Sequence, residues 1–558
     1  MHNQEQQILT GLATLTQQLQ RLGELELMVC SGARNLVLSV ALTQVAEQKG
    51  YQVWSHYDER SAGFFMLGRL QASYASESNK VAVIVATSGT AIAELLPAVI
   101  EAHAQQRPLI ILSADLPRSY DASGAPQCMP QLELFDGFIE GKIDIDLTLD
   151  ESPQEWIHQL ESQWSSHDVW QLNVRFPETK VKVIEALQAP AWRESLNLDL
   201  EVIAPKRQPF QVADLMRFLE EDTWRGLVVM LGGLEIEDRA EVLAFLKQLK
   251  APVIADVTSG LRGALGQLEI LGGESILQQN KPGKILRIGE VPSGRFWRDL
   301  EELPKVKVFS ITRQHEPGLA RENQWIQSSS ITRVLKGLGD VKALEDVLDL
   351  LPQDRKRQGK LQELLSAYPQ SEVAWMREIS IFSSLGNSWY IGNSLPIRNA
   401  ALAAQSDVCY EEVRANRGVN GIDGQVATFL GLASSCEASW GVLGDVTTSY
   451  DVGAFALAKK LPQDAVAYLV VMNNSGGRIF EQLPFFKVLN PQVQEMILQN
   501  PEIDLSALAQ LWKLHYTLVN TAEDLENLVE SQKTGLHIIE IRPDESQSKA
   551  LSQRLKQL

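Results

Sequence analysis

The chain has 558 residues, enough for about three or four domains of ordinary size. Its hydrophobic fraction of 44% and charged fraction of 22% are usual for a globular protein and argue against extensive disorder. The 51 basic and 70 acidic residues give a formal net charge of −19, which disfavours a broad surface for nucleic acid or anionic membranes. A site for a small anion must therefore be locally basic against the charge of the whole chain.

The cysteines indicate a reduced compartment, and the apolar runs are too short to span a membrane. The cysteines are far apart and form no CxxC pair, namely Cys30, Cys128, Cys409 and Cys436. The polar N-terminus shows no signal-peptide pattern, and the longest apolar runs, such as Ala465–Met472, are far shorter than the ~20 residues that span a bilayer. We therefore expect a cytoplasmic protein with no membrane span and no nucleic-acid partner.

The N-terminal third contains a candidate carboxylate followed by a strand–helix–strand unit. Glu59 opens a predicted helix, where the helix dipole alone would favour an acidic residue, so a purely structural role stays open. Val81–Ala86 then reads as a strand, Thr90 as the N-cap of a helix that extends to Gln105, and Pro108–Ser113 as a second strand. This order predicts a parallel sheet covered by helices.

Two further units of the same kind follow, so the sequence predicts an α/β protein with three doubly wound parallel-sheet domains. The second unit comprises Gly226–Leu231, Asp238–Leu249 and Pro252–Asp256; the third comprises Trp440–Leu443, Asp451–Lys460 and Ala467–Met472. The predicted linkers are Glu178–Pro209 and Asp340–Glu363. They give an N-terminal domain of residues 1–180, a middle domain of residues 205–345 and a C-terminal domain of residues 365–558.

Two loops of the third unit make a candidate metal site. Gly444 and Asp445 follow one predicted strand, and Asn473–Gly477 follows the next, so both loops lie at carboxyl ends of parallel strands. Each loop alone is typical of an ordinary turn. Their pairing across one unit favours a hard oxygen site, suited to Mg²⁺ holding a diphosphate.

Taken together, these motifs resemble the thiamin-diphosphate enzymes, and within them the 2-succinyl-5-enolpyruvyl-6-hydroxy-3-cyclohexene-1-carboxylate synthases of menaquinone biosynthesis. In the N-terminal domain the resemblance is carried by Asp58–Phe65, Thr87–Ala91 and Pro97–Ala102. In the C-terminal domain it is carried by Gly392–Arg398, Asn416–Gly424 and Asn473–Phe480. The middle domain matches in layout only.

The resemblance implies thiamin diphosphate with Mg²⁺ or Mn²⁺ as cofactors. Glu59 would be the catalytic carboxylate that shares a proton with the aminopyrimidine ring of the cofactor. The implied metal ligands are Asp445, Asn474 and the Gly476 carbonyl. The other implied cofactor contacts are Gly444, Thr447, Ile422, Asn393 and Ile479.

The resemblance also implies the reaction and the assembly. The enzyme would decarboxylate 2-oxoglutarate on the cofactor and add the resulting succinyl carbanion equivalent to isochorismate. Both substrates are dicarboxylates, which guanidinium groups bind well. The implied substrate contacts are Arg34, Gln127, Ser394, Arg398, Arg417 and Phe480. A homodimer or homotetramer with active sites at the subunit interface is implied as well.

Three positions depart from the family pattern and support a second interpretation. Leu116 replaces a usual arginine, Pro126 replaces a usual asparagine, and Gly294 falls near a usual lysine. These changes favour a 2-oxoacid decarboxylase or carboligase that uses the same cofactor and a different acceptor, or a homologue with weakened activity. A third interpretation, a non-catalytic binding or structural subunit, is disfavoured by the presence of Glu59, Asp445 and Asn474.

Overall fold

The computed structural model describes most of the chain. The described residues are 2–72, 79–149, 152–178, 180–196, 200–203, 210–220, 226–271, 275–344, 348–408, 410–531 and 533–558. The chain divides into two compact units, Met1–Arg207 and Gln208–Leu558. Among the described residues, no helix is both long enough and apolar enough to cross a bilayer.

The first unit is built on a six-stranded parallel sheet. Its strands are β1 (Glu24–Val29), β2 (Val53–Ser55), β3 (Lys80–Ala86), β4 (Leu109–Asp115), β5 (Gly141–Asp146) and β6 (Val169–Arg175). The spatial order is β2-β1-β3-β4-β6-β5, and all neighbouring pairs are parallel. The order reverses between β1 and β3, so the crevice at their carboxyl ends is a favoured place for a ligand.

Helices cover both faces of this sheet. The described α-helices are His2–Gln20, Leu36–Lys49, Glu59–Gln71, Thr90–Ala93, Leu96–Gln105, Gln154–Gln163, Val181–Gln188 and Pro190–Ser195. Two short 3-10 helices lie at Arg118–Tyr120 and Gln131–Glu133. The central strands are rich in valine, isoleucine and leucine that are buried on both faces, as expected for a covered parallel sheet.

The second unit contains two sheets, of which the first is five-stranded. Its strands are β7 (Leu227–Leu231), β8 (Val253–Ala255), β9 (Lys284–Ile288), β10 (Lys307–Thr312) and β11 (Gln324–Gln327), in the parallel order β11-β10-β9-β7-β8. The described α-helices around it are Ala213–Glu220, Ile236–Leu249, Ser275–Gln279, Arg295–Asp299 and Ile331–Leu338. The 3-10 helices are Val257–Ser259, Gly266–Leu268 and Leu300–Glu302.

The other sheet of the second unit has six parallel strands. They are β12 (Ser388–Ile391), β13 (Glu412–Arg414), β14 (Ala438–Gly444), β15 (Val466–Met472), β16 (His515–Val519) and β17 (Gly535–Ile541), in the order β13-β12-β14-β15-β17-β16. The order reverses between β12 and β14, which makes a second favoured crevice at the carboxyl edge.

Helices and 3-10 helices precede, connect and follow the strands of this third sheet. The described α-helices are Leu351–Ala367, Glu372–Ser383, Leu395–Ala403, Gln425–Ala433, Asp445–Tyr450, Pro491–Leu498, Leu505–Trp512, Ala522–Glu530 and Glu545–Leu555. The 3-10 helices are Val452–Lys460, Arg478–Gln482 and Pro484–Val488.

The predicted α/β class with three doubly wound parallel sheets is confirmed, with local corrections. Thr90 is the first helical residue rather than the N-cap, which is Gly89. The helix predicted to run to Gln105 breaks after Ala93 and restarts at Leu96. Pro97 explains the break, because proline has no backbone N–H to donate to the preceding turn.

The predicted linkers are partly helical. In the first, the described residues include Val181–Gln188, and Val183 and Leu187 pack into the core of the first unit. In the second, the helix Leu351–Ala367 starts before the predicted end of the linker. The domain limits at 180, 205, 345 and 365 stay a prediction.

Among the described residues, Cys30, Cys128 and Cys436 form no disulfide. Cys409 lies outside the described residues.

Candidate functional site

Glu59 lies at the start of the helix Glu59–Gln71, near the carboxyl edge of the first sheet. The Asp58 side chain caps this helix by accepting hydrogen bonds from the backbone N–H groups of Arg60 and Ser61. Asp58 is therefore the N-cap of the helix, and the Glu59 carboxylate is available for other contacts. Burial raises the pKa of Glu59, and the neighbouring carboxylates of Asp58 and Glu94 raise it further.

Close packing brings other predicted residues of the first unit to the same edge. A Cβ on Gly32 would lie 2.5 Å from Thr87 Cβ, so the loop that carries Arg34 packs directly against the loop after β3. A Cβ on Gly89 would lie 3.6 Å from Gln127 Cα. Arg34 and Gln127 therefore both lie beside the loop after β3, and their predicted role as substrate contacts stays a prediction.

Arg34 has a free hydrogen-bonding group there. Its Nε is buried and has no hydrogen-bond partner among the described residues. Gln127 is exposed and has a φ of 64°, an uncommon backbone conformation for a residue other than glycine. Both side chains are thus able to receive a ligand.

Leu116, which replaces an arginine of the family pattern, is buried in the first unit. Leu116 is 5% exposed, and its carbonyl accepts a hydrogen bond of 3.1 Å from Arg175 Nη1. Arg118 instead points to acidic residues of β5, with Nε 3.5 Å from Asp144 and 4.0 Å from Asp146. Arg118 is therefore already paired with carboxylates and does not supply an unpaired charge in place of the missing arginine.

The loops of the two paired strands meet in the second unit, as the sequence predicts. β14 and β15 are neighbours, with Gly444 opposite Met472. Asp445, 2% exposed, accepts hydrogen bonds from Gly476 N (2.7 Å) and Val446 N (2.8 Å). Burial raises the pKa of the Asp445 carboxylate, and these backbone N–H donors oppose that rise.

The oxygen atoms at this edge fit a divalent cation. Asn474 Oδ1 is buried and has no hydrogen-bond partner among the described residues, which is costly unless a ligand takes it. The Asp445 carboxylate accepts a hydrogen bond from the backbone N–H of Gly476, two residues after Asn474. Carboxylate, amide and backbone carbonyl oxygens are the ligands that Mg²⁺ prefers.

Two glycines shape this edge. Gly476 has a φ of 116°, and a Cβ there would lie 2.5 Å from the Leu498 carbonyl oxygen. Only glycine therefore fits the turn. Gly444 has open space on its Cβ side, with no described atom within 4 Å. The buried Thr447 hydroxyl lies one helical turn further on, in the helix Asp445–Tyr450.

Asn393 ties the neighbouring loops of the crevice together. Its Nδ2 donates to the carbonyls of Asn416 and Gly421, both at 2.7 Å, and its Oδ1 accepts from Arg417 Nη1 at 2.9 Å. Asn393 therefore holds the loop that contains Ile422, whose side chain is half-buried.

Two predicted arginines lie at this carboxyl edge. Arg398 Nη1 donates to the Ser394 carbonyl at 2.6 Å, and Ser394 has a strained φ of 72°. Burial lowers the pKa of Arg398, and the positive charges of Arg417 and Arg298 lower it further. Guanidinium groups repel one another, and an anion bound among them would relieve that repulsion.

The two apolar residues predicted at the reacting centre lie in one 3-10 helix. Ile479 is half-buried and Phe480 is 40% exposed, both within Arg478–Gln482. The Phe480 ring packs over Gly477, where a Cβ would lie 3.2 Å from Phe480 Cδ2. They follow the Asn474 loop directly along the chain.

Three polar residues of the second unit were missed by the sequence reasoning. Glu372 is buried against Asn474, Asn399 bonds to Glu372, and Arg298 lies within electrostatic range of Arg398. Burial raises the pKa of Glu372 to about 7, against the opposing effect of the Asn474 hydrogen bond. No sequence motif signals these contacts, because Glu372 and Asn474 are 102 positions apart.

Known proteins resemble the chain over almost its whole length. The family model for the thiamine pyrophosphate enzyme N-terminal TPP binding domain matches residues 9–134. A synthase from Akkermansia muciniphila is 38% identical over 96% of both chains, and one from Bdellovibrio bacteriovorus is 35% identical over 95% of both. Both are named 2-succinyl-5-enolpyruvyl-6-hydroxy-3-cyclohexene-1-carboxylate synthase.

The solved structures support the fold. A Mycobacterium smegmatis protein, provisionally assigned to the thiamin-diphosphate-dependent enzymes, superposes with a TM-score of 0.67. The match covers 95% of this chain and 98% of the other at 14% identity, so the two proteins share a fold.

These matches define the class: the chain is a thiamin-diphosphate-dependent enzyme. More specifically, the chain belongs to the family of 2-succinyl-5-enolpyruvyl-6-hydroxy-3-cyclohexene-1-carboxylate synthases, which act in menaquinone biosynthesis. The predicted family, enzyme class and thiamin diphosphate cofactor are confirmed. The roles of individual residues stay predictions.

Proposed function

We propose that the enzyme decarboxylates 2-oxoglutarate and joins the remaining succinyl unit to isochorismate. The convergence of Arg398 and Arg417 on the carboxyl edge that also carries Asp445 supports this proposal. Cations beside an oxygen-rich metal site suit dicarboxylate substrates that react at a diphosphate cofactor. This arrangement supplies the locally basic site that the net charge of −19 requires.

We assign the cofactor contacts as the sequence predicted them. When bound, thiamin diphosphate would supply a carbon nucleophile for the keto carbon of the substrate and an electron sink for the charge left when carbon dioxide departs. Asp445, Asn474 and the Gly476 carbonyl hold Mg²⁺ or Mn²⁺, and Gly444 and Thr447 border the diphosphate. Ile422, Asn393 and Ile479 line the rest of the cofactor pocket.

The remaining residues act on protons and on substrate carboxylates. Glu59 exchanges a proton with the cofactor ring, a role that a half-buried carboxylate of raised pKa suits. The proposed substrate contacts are Arg34, Gln127, Ser394, Arg398, Arg417 and Phe480. We further propose that the enzyme is cytoplasmic and assembles as a homodimer or homotetramer, which light scattering can test.

A second candidate acceptor is supported by the surroundings of Leu116. Since Arg118 is paired with Asp144 and Asp146, the contact normally made by an arginine at position 116 is missing. A charge-assisted hydrogen bond contributes roughly 1.5–3 kcal/mol. Its loss favours an acceptor with one fewer carboxylate contact than isochorismate.

The two candidates differ in what consumes the acyl unit. The holoenzyme is mixed with 2-oxoglutarate, with and without isochorismate, and both carbon dioxide release and isochorismate absorbance are followed. We expect isochorismate to accelerate carbon dioxide release and to disappear in equal amount. Carbon dioxide release that is unaffected by isochorismate, with no loss of its absorbance, would contradict the acceptor assignment.

Replacing Arg417 with Ala is expected to raise the KM for a substrate by about tenfold or more, since it removes a charge-assisted contact. Thiamin diphosphate affinity should change much less, because Arg417 contacts the loop through Asn393 rather than the diphosphate edge. Steady-state kinetics and calorimetry measure the two effects. The exposed Arg554→Ala is the control. An unchanged KM in Arg417→Ala would remove Arg417 from the pocket.

A further inference from the structure

Glu372 is an unusual buried acid. It is 7% exposed and opens the helix Glu372–Ser383. Among the ion pairs of the described residues none includes its carboxylate, although the positive charge of Arg478 is near enough to lower the pKa of Glu372. Burying a carboxylate without a paired cation is costly, so its hydrogen bonds must offset part of that cost.

Both carboxylate oxygens of Glu372 accept hydrogen bonds from side-chain amides. Oε2 accepts from Asn474 Nδ2 at 3.0 Å, and Oε1 accepts from Asn399 Nδ2 at 3.0 Å. Asn474 is a proposed metal ligand. Asn399 belongs to the helix Leu395–Ala403, which also carries Arg398.

The contact with Asn474 determines which end of that amide faces the metal site. Both Glu372 oxygens accept hydrogen bonds from amide NH₂ groups, so Asn474 turns its NH₂ group toward Glu372. Its Oδ1 then points away, and this is the buried oxygen that has no partner among the described residues. A reversed amide would present NH₂ to the metal, which cannot ligate a hard cation.

We propose that Glu372 is a positioning residue that orients Asn474 Oδ1 toward the divalent cation. This inference rests on the proposed metal site. Glu372 contacts neither substrate nor cofactor in this role. Its effect is instead on the affinity of the enzyme for Mg²⁺, and outer partners of metal ligands typically change that affinity by about 10–100-fold.

The test is a Mg²⁺ titration of the protein at a fixed thiamin diphosphate concentration, with binding measured by calorimetry. Glu372→Ala is expected to raise the Mg²⁺ concentration for half-saturation by about tenfold or more. Glu372→Gln should change it by less than about threefold, because its single amide oxygen still orients Asn474 while the Asn399 amide reverses. If Glu372→Ala does not fold, Glu372→Met replaces it, with similar volume and no acceptor.

Asn399→Ala is the matched control, since it removes the other Glu372 contact and leaves the Asn474 contact intact. We expect its Mg²⁺ midpoint to stay within about threefold of the wild type. A folded Glu372→Ala with a wild-type midpoint would overturn the inference, as would an equal loss in Asn399→Ala. A wild-type protein that binds no Mg²⁺ with thiamin diphosphate would instead overturn the metal site itself.

Discussion

Replacing Glu59 with Gln is expected to lower kcat by about 10²–10⁴-fold, the usual contribution of a positioned proton donor or acceptor. The substituted amide keeps the size of the side chain and loses the exchangeable proton. Because Asp58 caps the helix, the fold should persist. Thiamin diphosphate affinity, measured by calorimetry, should therefore stay close to that of the wild type.

The control for this experiment is Glu94→Gln. Glu94 is an exposed carboxylate close enough to raise the pKa of Glu59, and no catalytic role is assigned to it. We expect near-normal turnover from that variant. Near-normal turnover from Glu59→Gln itself, in folded and cofactor-loaded protein, would show that Glu59 transfers no proton in the reaction.

Replacing Asp445 with Asn is expected to weaken Mg²⁺ binding by more than about 100-fold, since partners outside the ligand set alone contribute up to that amount. Two effects combine. The variant loses the only carboxylate among the proposed ligands, and its NH₂ group faces a backbone N–H of Gly476 or Val446 that it cannot bond. Thiamin diphosphate binding should fail with it, because the proposed metal would hold the diphosphate.

Asp464→Asn is the matched control for Asp445→Asn. Asp464 is exposed and precedes β15, at the opposite edge of the same sheet. We expect it to bind Mg²⁺ and thiamin diphosphate like the wild type. Wild-type cofactor binding by Asp445→Asn would remove Asp445 from the metal site.

The outline of the fold could be predicted because parallel strands buried on both faces leave a simple pattern. The predicted strands Val81–Ala86 and Ala467–Met472 correspond to β3 and β15, each of which begins one residue earlier. Helix ends were less predictable. The break before Leu96 depends on Pro97. The predicted helix Asp451–Lys460 is a 3-10 helix over Val452–Lys460 rather than an α-helix.

The meeting of the two loops after β14 and β15 could be predicted, because one strand–helix–strand unit brings them together. That Asp445, Asn474 and Gly476 bind a metal there stays a prediction. Contacts that depend on distant segments could not be predicted. The Glu372–Asn474 bond and the pairing of Arg118 with Asp144 require the assembled sheet, because neither spacing nor residue type indicates them.

The central claim is that this enzyme joins the succinyl unit of 2-oxoglutarate to isochorismate. Its most direct test uses uniformly carbon-13-labelled 2-oxoglutarate with unlabelled isochorismate, Mg²⁺ and thiamin diphosphate, and mass spectrometry of the product. We predict one adduct that contains all of isochorismate and every labelled carbon except the one released as carbon dioxide. Labelled carbon dioxide without such an adduct, from folded and cofactor-loaded protein, would contradict the claim.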